Sequence, residues 1–204
     1  MSVPDSRSPT NTSARRAAVE RAILDAAEAL LAEESFHALT VEDVMKKAGL
    51  TRTAFYRYFP DLEAVLLRRM TELHAELAEA ANLWLDLDAE PTESILAGNT
   101  GLAEVYNHHG RILLAFADAA GRGPEIEMAW HETVHSFVAP VVARIEDLQA
   151  RGLTHVPNIE ETARALVWMN ERYLLETFGR RSGADVGLAA QTLSEIWHRV
   201  LFAA

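Results

Sequence analysis

The sequence predicts an all-α protein of nine helices arranged in two domains. Apolar residues recur at helical spacing along most of the 204-residue chain, and no segment shows the period-two alternation of a strand. Glycine and proline breaks fall between the periodic segments, where connections are expected. The chain is also long enough to bury a substantial core. We therefore expect a small helical amino-terminal head followed by a larger helical body.

The amino-terminal region predicts a tail and one bracing helix. Residues 1–15 are rich in Ser, Thr, Pro and Arg and have few apolar side chains, so we expect a disordered tail. Between residues 16 and 33 the apolar side chains line one helical face. This helix would brace the two helices that follow, in a first domain over residues 16–61.

Residues 40–60, TVEDVMKKAGLTRTAFYRYFP, predict a helix, a glycine turn and a second short helix. Thr40 and Asp43 provide the hydroxyl and the carboxylate that are typical of a helix start. Gly49 stands where a left-handed backbone ends a helix at little cost. The pattern, over residues 41–60, is that of a helix-turn-helix.

The distribution of charge favours nucleic-acid binding by this segment, although the formal net charge is −11. Residues 1–70 carry 10 basic and 10 acidic side chains, whereas the remainder carries 9 and 20. The acidic excess therefore belongs to the body. No acidic residue occurs between Val44 and Pro60, and the basic and hydroxyl side chains there suit phosphate groups. Helical spacing assigns Phe55 and Phe59 to the core instead.

The body is predicted to be helical throughout. Pro60 and Asp61 end the preceding segment, and a long linking helix is predicted from Leu62 to about Trp84. Further helices are predicted over residues 92–108, 111–120, 125–150, 159–178 and 185–202. Pro140 is expected to kink or split the third of these. Together these helices form the second predicted domain, residues 62–204.

Two stretches carry a family resemblance. The segment AILDAAEALLAEESFHALTVEDVMKKAGLTRTAFYRYFPDLEAVLL resembles the amino-terminal pattern of the tetracycline-repressor (TetR) family of bacterial transcription regulators. The segments ALVWMNERYLLETF and SEIWHRVLF resemble the ethionamide-regulator (EthR) branch. The resemblance implies a dimeric regulator of transcription, a repressor that binds a palindromic operator and leaves it when a small apolar effector binds. It implies no catalysis and no cofactor.

The resemblance also implies which residues contact double-stranded operator DNA. In the family the third helix of the head lies in the major groove. By position, the implied contacts are Arg52, Thr53, Tyr56 and Tyr58. Capping hydroxyls and nearby basic side chains complete the predicted set with Thr40, Lys46, Lys47, Thr51 and Arg57. Leu62 and Ala54 stand where many members have Lys and Thr, so part of the usual contact to the DNA backbone is absent at these positions.

A ligand chamber between the linking helix and the following helices is implied in the same way. Trp130, Asn170 and Trp197 match positions that face an elongated apolar ligand in the EthR branch. The full predicted lining adds Val134, Val167 and Leu174. Asn170 is the expected orienting group, because a buried Asn needs a hydrogen-bond partner, either from a ligand or from the backbone.

A competing pattern lies at residues 131–135. The sequence His-Glu-Thr-Val-His matches the HExxH signature of zinc peptidases, in which two histidines bind zinc and the glutamate activates water. Val138 and Val141 occupy the positions of the Gly and His that the extended signature needs. A regulatory metal site is a further alternative, and its candidate ligands are His131, His135 and either His108 or His109. Solvated helix histidines are the default interpretation.

The last two predicted helices are expected to form a homodimer. Apolar residues line more than one face of each, so one face can pack in the monomer and another can pair across a two-fold axis in a four-helix bundle. No apolar run approaches the ~18 residues of a membrane span, and the amino terminus has no hydrophobic signal core. We therefore expect a cytoplasmic protein that does not bind membranes. The absence of cysteine excludes disulfides.

Overall fold

The computed structural model describes residues 9–85, 89–120, 124–181 and 183–202. Throughout these ranges the regular structure is helical, as predicted, with no strand. None of the described helices is long and apolar enough to cross a membrane. The chain forms two compact units, residues 1–69 and residues 70–204, which we call the head and the body.

Within the described residues, nine α-helices follow one another along the chain. The head contains α1 (Pro9–Leu31), α2 (Val41–Lys47), α3 (Arg52–Phe55) and the first turns of α4 (Leu62–Asn82). The body contains the rest of α4, then α5 (Pro91–Ala120), α6 (Pro124–His135), α7 (Val138–Ala150), α8 (Ile159–Leu174) and α9 (Val186–Phe202). Helix α8 continues into a wider π-helical turn, Leu175–Gly179.

Helix α1 begins earlier than predicted. It starts at Pro9, so the part of the expected disordered tail over residues 9–15 is helical, whereas residues 1–8 lie outside the described part of the chain. Proline suits the first helical position because its missing N–H would have no partner there. Once the apolar face of the helix is packed, each added residue gains a backbone hydrogen bond, and polar residues can extend the helix.

Helix α5 replaces two predicted helices, 92–108 and 111–120. Gly110, the expected break, lies buried inside it. A Cβ at this position would lie only 2.7 Å from the carbonyl carbon of Phe178, in the π-helical turn. The glycine therefore permits a close backbone contact between α5 and this turn and does not end the helix.

The predicted helix 125–150 is two helices, α6 and α7, separated by Ser136 and Phe137. The split that Pro140 predicts therefore occurs, but it precedes the proline. Pro140 is the third residue of α7, where backbone N–H groups have no partner within the helix. A proline in the first turn of a helix consequently costs no hydrogen bond.

The head includes more of the linking helix than predicted. The predicted boundary follows Asp61, whereas the compact unit extends to Arg69. Val65 and Leu66 are buried, and the Arg69 guanidinium lies 2.7 Å from the Glu28 carboxylate on α1. The apolar contacts and this ion pair attach the first turns of α4 to α1 and explain why the head ends inside a continuous helix.

Candidate DNA-binding surface and ligand cavity

The turn between α2 and α3 has the geometry that the sequence predicts. The Thr40 hydroxyl accepts a hydrogen bond from the Asp43 backbone N–H at 3.2 Å and also contacts the Asp43 carboxylate. At the other end of α2, Gly49 adopts φ +69°, and the Leu50 N–H donates to the Met45 carbonyl at 2.8 Å. The left-handed backbone at Gly49 ends α2 and starts the turn towards α3.

Two phenylalanines attach α3 to the core of the head. Phe55 is fully buried and Phe59 is 7% exposed, as predicted, and their ring centroids lie 6.0 Å apart. Thr51 precedes α3 as its N-cap, but its side chain makes no capping hydrogen bond. Helical turns continue past Phe55, because the Tyr58 and Phe59 N–H groups both donate to the Phe55 carbonyl.

The opposite face of this motif is exposed and carries most of the predicted DNA contacts. Eight of the nine predicted residues are exposed: Thr40, Lys46, Lys47, Thr51, Arg52, Thr53, Tyr56 and Arg57. Tyr58 is half-buried, and the Arg16 guanidinium of α1 lies 5.6 Å from its ring centroid. Tyr58 is therefore partly engaged in a cation–π contact inside the head. The structure therefore leaves eight of the nine predicted residues accessible to solvent.

The body contains a cavity of about 170 Å³. Its wall is formed by the last turns of α4 and by α5, α6, α7, α8 and α9. All six predicted ligand residues belong to the wall: Trp130, Val134, Val167, Asn170, Leu174 and Trp197. The cavity thus collects residues that are as much as 120 positions apart in sequence, from Leu77 to Trp197.

A hydrogen-bonded chain of side chains lies in this wall. The Asn170 amide donates to the Asn99 Oδ1 at 2.7 Å and accepts from the Trp197 indole N–H at 2.9 Å. Asn99 in turn donates to the Ser194 hydroxyl at 3.2 Å. Two side chains therefore hydrogen-bond Asn170, where the sequence pointed to a ligand or the backbone. Asn170 keeps one N–H and one lone pair for a further partner.

Other polar groups of the wall have no hydrogen-bond partner among the described residues. These are the Trp84 indole N–H and both carboxylate oxygens of Glu171, and each residue is 5% exposed. Burial raises the pKa of the Glu171 carboxyl, the Arg172 guanidinium opposes that shift, and Glu176 adds to it. Burial, and after it the charge of Glu171, raises the pKa of the Tyr106 phenol. The charge of Glu171 therefore acts on the Tyr106 phenol.

Sequence reasoning missed four buried polar or aromatic residues of the wall: Trp84, Asn99, Tyr106 and Glu171. Asn99 had a usable signal, because it is a lone amide within the otherwise small and apolar run SILAGNTGL. Glu171 follows Asn170 in the sequence and resembles any solvated helix glutamate. Only the packing of α8 against α5 shows that it is buried.

The HExxH pattern does not form a metal site in the described part of the chain. His131, Glu132 and His135 are exposed near the end of α6, and the His131 ring packs against Trp168 with ring centroids 5.2 Å apart. Nowhere in the described ranges do three or more His, Asp or Glu side chains cluster as metal ligands require. The peptidase and metal-site alternatives have no support from the comparisons with known proteins either.

A head with a helix-turn-helix and a helical body with a cavity define the class of helix-turn-helix transcriptional regulators. Residues 23–68 match the family model for bacterial regulatory proteins of the tetR family, and residues 96–203 match the model for the C-terminal domain of the transcriptional regulator EthR. The chain belongs to the TetR family and carries an EthR-type carboxy-terminal domain. It is therefore a DNA-binding transcriptional regulator, and the relatives are not enzymes.

Individual relatives agree with this assignment. The chain is 30% identical to the HTH-type transcriptional regulator EthR of Mycolicibacterium smegmatis, over 87% of this chain and 83% of the relative. It has the fold of a tetR-family regulatory protein from Rhodococcus RHA1, with a TM-score of 0.77, 17% identity and coverage of 91% and 98% of the two chains. A regulator from Saccharomonospora viridis, solved in complex with choline, matches with a TM-score of 0.75, 16% identity and coverage of 92% and 100%.

Proposed function

We propose that this protein is a homodimeric repressor that binds a palindromic operator through its head and is released by a small, mainly apolar effector bound in the cavity of its body. One observation carries the proposal: the exposed basic residues of the helix-turn-helix and the mainly apolar cavity occur in one chain. Helix α4 belongs to both units, because its first turns lie in the head and its last turns form part of the cavity wall.

Charge and exposure support DNA binding by the head. Lys46, Lys47, Arg52 and Arg57 are exposed on a segment without acidic residues, and a polyanion is attracted to such a surface. Tyr56, which directly follows α3, is 57% exposed, although large aromatic side chains are usually mostly buried. An exposed tyrosine beside cations can donate its hydroxyl hydrogen to a phosphate or a base.

Binding to duplex DNA from the promoter of its own gene tests this part. We expect fluorescence anisotropy to show affinity that falls steeply with salt, because each neutralised phosphate releases counterions. Arg52→Ala and Tyr56→Ala should each weaken binding by about 1–3 kcal/mol. Arg164→Ala, an exposed arginine of α8, is the matched control and should leave affinity unchanged. Binding that does not depend on salt would contradict the proposal. Full binding by the double variant Arg52→Ala/Tyr56→Ala would contradict it as well.

Lysine footprinting gives a second measurement of the same surface. The sequence contains only two lysines, Lys46 and Lys47, and both are exposed on α2. We expect operator DNA to protect both from an amine-reactive reagent, whereas unrelated duplex at the same salt protects them less. Equal labelling with and without operator would exclude α2 from the DNA contact.

The cavity supports control by an effector. Its wall is mostly apolar, with the Asn170 chain of hydrogen bonds as a fixed polar point, and a mainly apolar ligand with one polar group suits such a site. The same fold holds choline in the Saccharomonospora viridis regulator, which supports a small-molecule site in a body of this kind. Binding there would release the operator if the ligand favours a conformation of the body that the DNA-bound state does not adopt.

A cavity-filling variant tests the effector site. We expect octanol, a simple amphiphilic probe, to quench or shift the tryptophan fluorescence of the body and to release operator DNA. Val167→Phe should fill part of the cavity, abolish the octanol response and preserve operator binding. Leu153→Phe places the same side chain at an exposed position outside the wall and should respond as the unmodified protein does. A response retained by Val167→Phe would exclude this cavity.

Helix α9 supports the proposed dimer. Leu193, Trp197 and Leu201 are buried on one side, whereas the other side exposes Leu188 (62%), Ile196 (37%) and Val200 (45%). An exposed apolar stripe on a helix indicates a contact with a partner, here the same stripe of a second copy. Ile196→Asp should produce monomers in light scattering and weaken operator binding. Leu153→Asp, which changes an exposed leucine elsewhere, should remain dimeric.

A further inference from the structure

We propose that the effector carries a protonated amine, and that the carboxylate of Glu171 binds this amine inside the cavity. The inference rests on the proposed effector site and specifies the chemical class of its ligand. Glu171 is a second polar point of the wall, distinct from the Asn170 chain of hydrogen bonds.

The surroundings of Glu171 compensate its charge only weakly. The residue is 5% exposed, and neither carboxylate oxygen has a hydrogen-bond partner among the described residues. The Arg172 guanidinium approaches Oε2 only to 3.7 Å, its side chain is 58% exposed, and it lies equally far from Glu176. Burying a carboxylate without hydrogen bonds costs free energy. A ligand that brings hydrogen-bond donors and a positive charge removes that cost, and this strengthens its binding.

The Asn170 chain cannot supply that partner. The Asn170 and Asn99 amides and the Trp197 indole bond to one another, and Asn99 continues to the Ser194 hydroxyl. None of these bonds reaches Glu171, although it is the next residue after Asn170. The two neighbouring residues of α8 therefore have different surroundings: one is satisfied by protein groups, whereas the other presents two free acceptors.

The rest of the wall favours a cation over an anion. Among the described residues that line the cavity, Glu171 is the one with a carboxyl group, and none of them is lysine or arginine. Tyr106 and Trp130 add aromatic rings, whose faces attract positive charge. The Trp84 ring also lines the cavity, but the Arg144 guanidinium already lies 5.6 Å from its centroid. A carboxylate ligand would meet repulsion from Glu171, whereas an ammonium would meet attraction from the carboxylate and the rings.

The electrostatics of the site agree with this ligand class. Burial raises the pKa of Glu171, which favours the protonated carboxyl. An ammonium ligand reverses that tendency, since charge-assisted hydrogen bonds stabilise the ionised carboxylate. A neutral alcohol of the same length offers one hydrogen-bond donor and no charge, and it should bind more weakly.

Three ligands with the same alkyl chain test the proposal: octylamine, octanol and octanoate. Titration calorimetry with the full-length protein should show octylamine binding at least tenfold more tightly than octanol, and octanoate most weakly. Glu171→Gln keeps the size of the side chain but removes its charge, so it should abolish the preference for octylamine and leave octanol binding nearly unchanged. Glu160→Gln removes an exposed carboxylate from the same helix and should keep the preference.

The outcomes separate this inference from the proposed effector site. If octanol binds and releases operator but octylamine is no tighter, or if Glu171→Gln keeps the octylamine preference, the amine assignment is wrong and the effector site stands. If none of the three ligands binds, both are wrong. If Glu171→Gln fails to fold, the ratio of octylamine to octanol affinity in the unmodified protein decides the question.

Discussion

The head and the body place their polar side chains in different environments. In the head the core is apolar around Phe55 and Phe59, and the polar residues of the helix-turn-helix lie on an exposed face. In the body several polar groups are buried: Asn99 and Asn170 are hydrogen-bonded to each other, and Glu171 lacks a hydrogen-bond partner among the described residues.

This difference follows from what each unit would bind. DNA is large and polyanionic, so its contacts must be displayed on an exposed surface, and a conventional apolar core can support that surface. A small ligand is enclosed, so its polar contacts must be buried and must be satisfied by protein groups or by the ligand. The polar groups of the body therefore contribute to specificity at a cost in stability, whereas those of the head cost little.

The largest expected effect is on the apolar core of the head. Phe55→Ala removes a fully buried ring and should destabilise the head by about 3–5 kcal/mol. Amide hydrogen exchange of residues 41–59 should accelerate, while tryptophan fluorescence, which reports only on the body, should change little. Tyr56→Ala, the neighbouring exposed aromatic, should weaken DNA binding without accelerating exchange. Equal exchange in the two variants would remove the distinction between core and surface.

A somewhat smaller effect is expected from the polar core of the body. Asn170→Ala removes the partner of the Trp197 indole N–H and of the Asn99 carbonyl oxygen. Each buried group left without a partner costs about 1–3 kcal/mol. Urea denaturation followed by tryptophan fluorescence should show the loss. Asn107→Ala, an exposed residue of α5, is the control and should leave the midpoint unchanged. A neutral Asn170→Ala would show that this chain of hydrogen bonds does not stabilise the body.

The two N-cap threonines of the helix-turn-helix provide a matched pair with a smaller effect. The Thr40 hydroxyl accepts a backbone hydrogen bond, whereas the Thr51 side chain makes none. Thr40→Ala should destabilise the head by about 1 kcal/mol, and Thr51→Ala by clearly less. Hydrogen exchange of the α2 amides measures both. Equal losses would mean that the capping bond of α2 contributes nothing.

The smallest effect is expected from Glu171→Gln in the absence of ligand, and its sign is a gain. The pKa of Glu171 is raised in the folded state, so between its ordinary and its raised pKa the folded state holds a proton that the unfolded state has released. Above the raised pKa the ionised carboxyl destabilises the folded state in full, and this destabilisation fades as the pH falls towards the ordinary pKa. Two neighbouring charges also act on this carboxyl, because Arg172 lowers its pKa and Glu176 raises it.

Thermal unfolding of Glu171→Gln against the unmodified protein measures that gain. The variant should have the higher Tm at pH 7, and its advantage should narrow towards pH 4. Each kcal/mol of stability gained should raise the Tm by about 2–4 °C. Glu160→Gln, the exposed control, should show no such pH-dependent gain. A variant that is less stable at pH 7 would mean that the carboxylate of Glu171 has a stabilising partner.

Local patterns predicted much of this protein. The helix-turn-helix, its Thr40 cap, the left-handed Gly49 and the buried phenylalanines all follow from spacing over a few residues, and the structure confirms them. The helix ends predicted for the body were less accurate. Gly110 resembles a helix end, yet it lies inside α5, because the backbone of a turn distant in sequence packs against it. The residues next to Gly110 in the sequence give no sign of this backbone contact.

The amino-acid order therefore decides the helical class, the exposed basic face and the apolar lining of a chamber, because all three depend on periodicity and composition. Tertiary packing decides which polar groups are satisfied. Asn170 and Glu171 are adjacent in the sequence, but α5 and α9 supply partners to the first and none to the second. Hydrogen bonding depends on distances of a few tenths of an ångström between helices, and these distances are set only when the helices are packed.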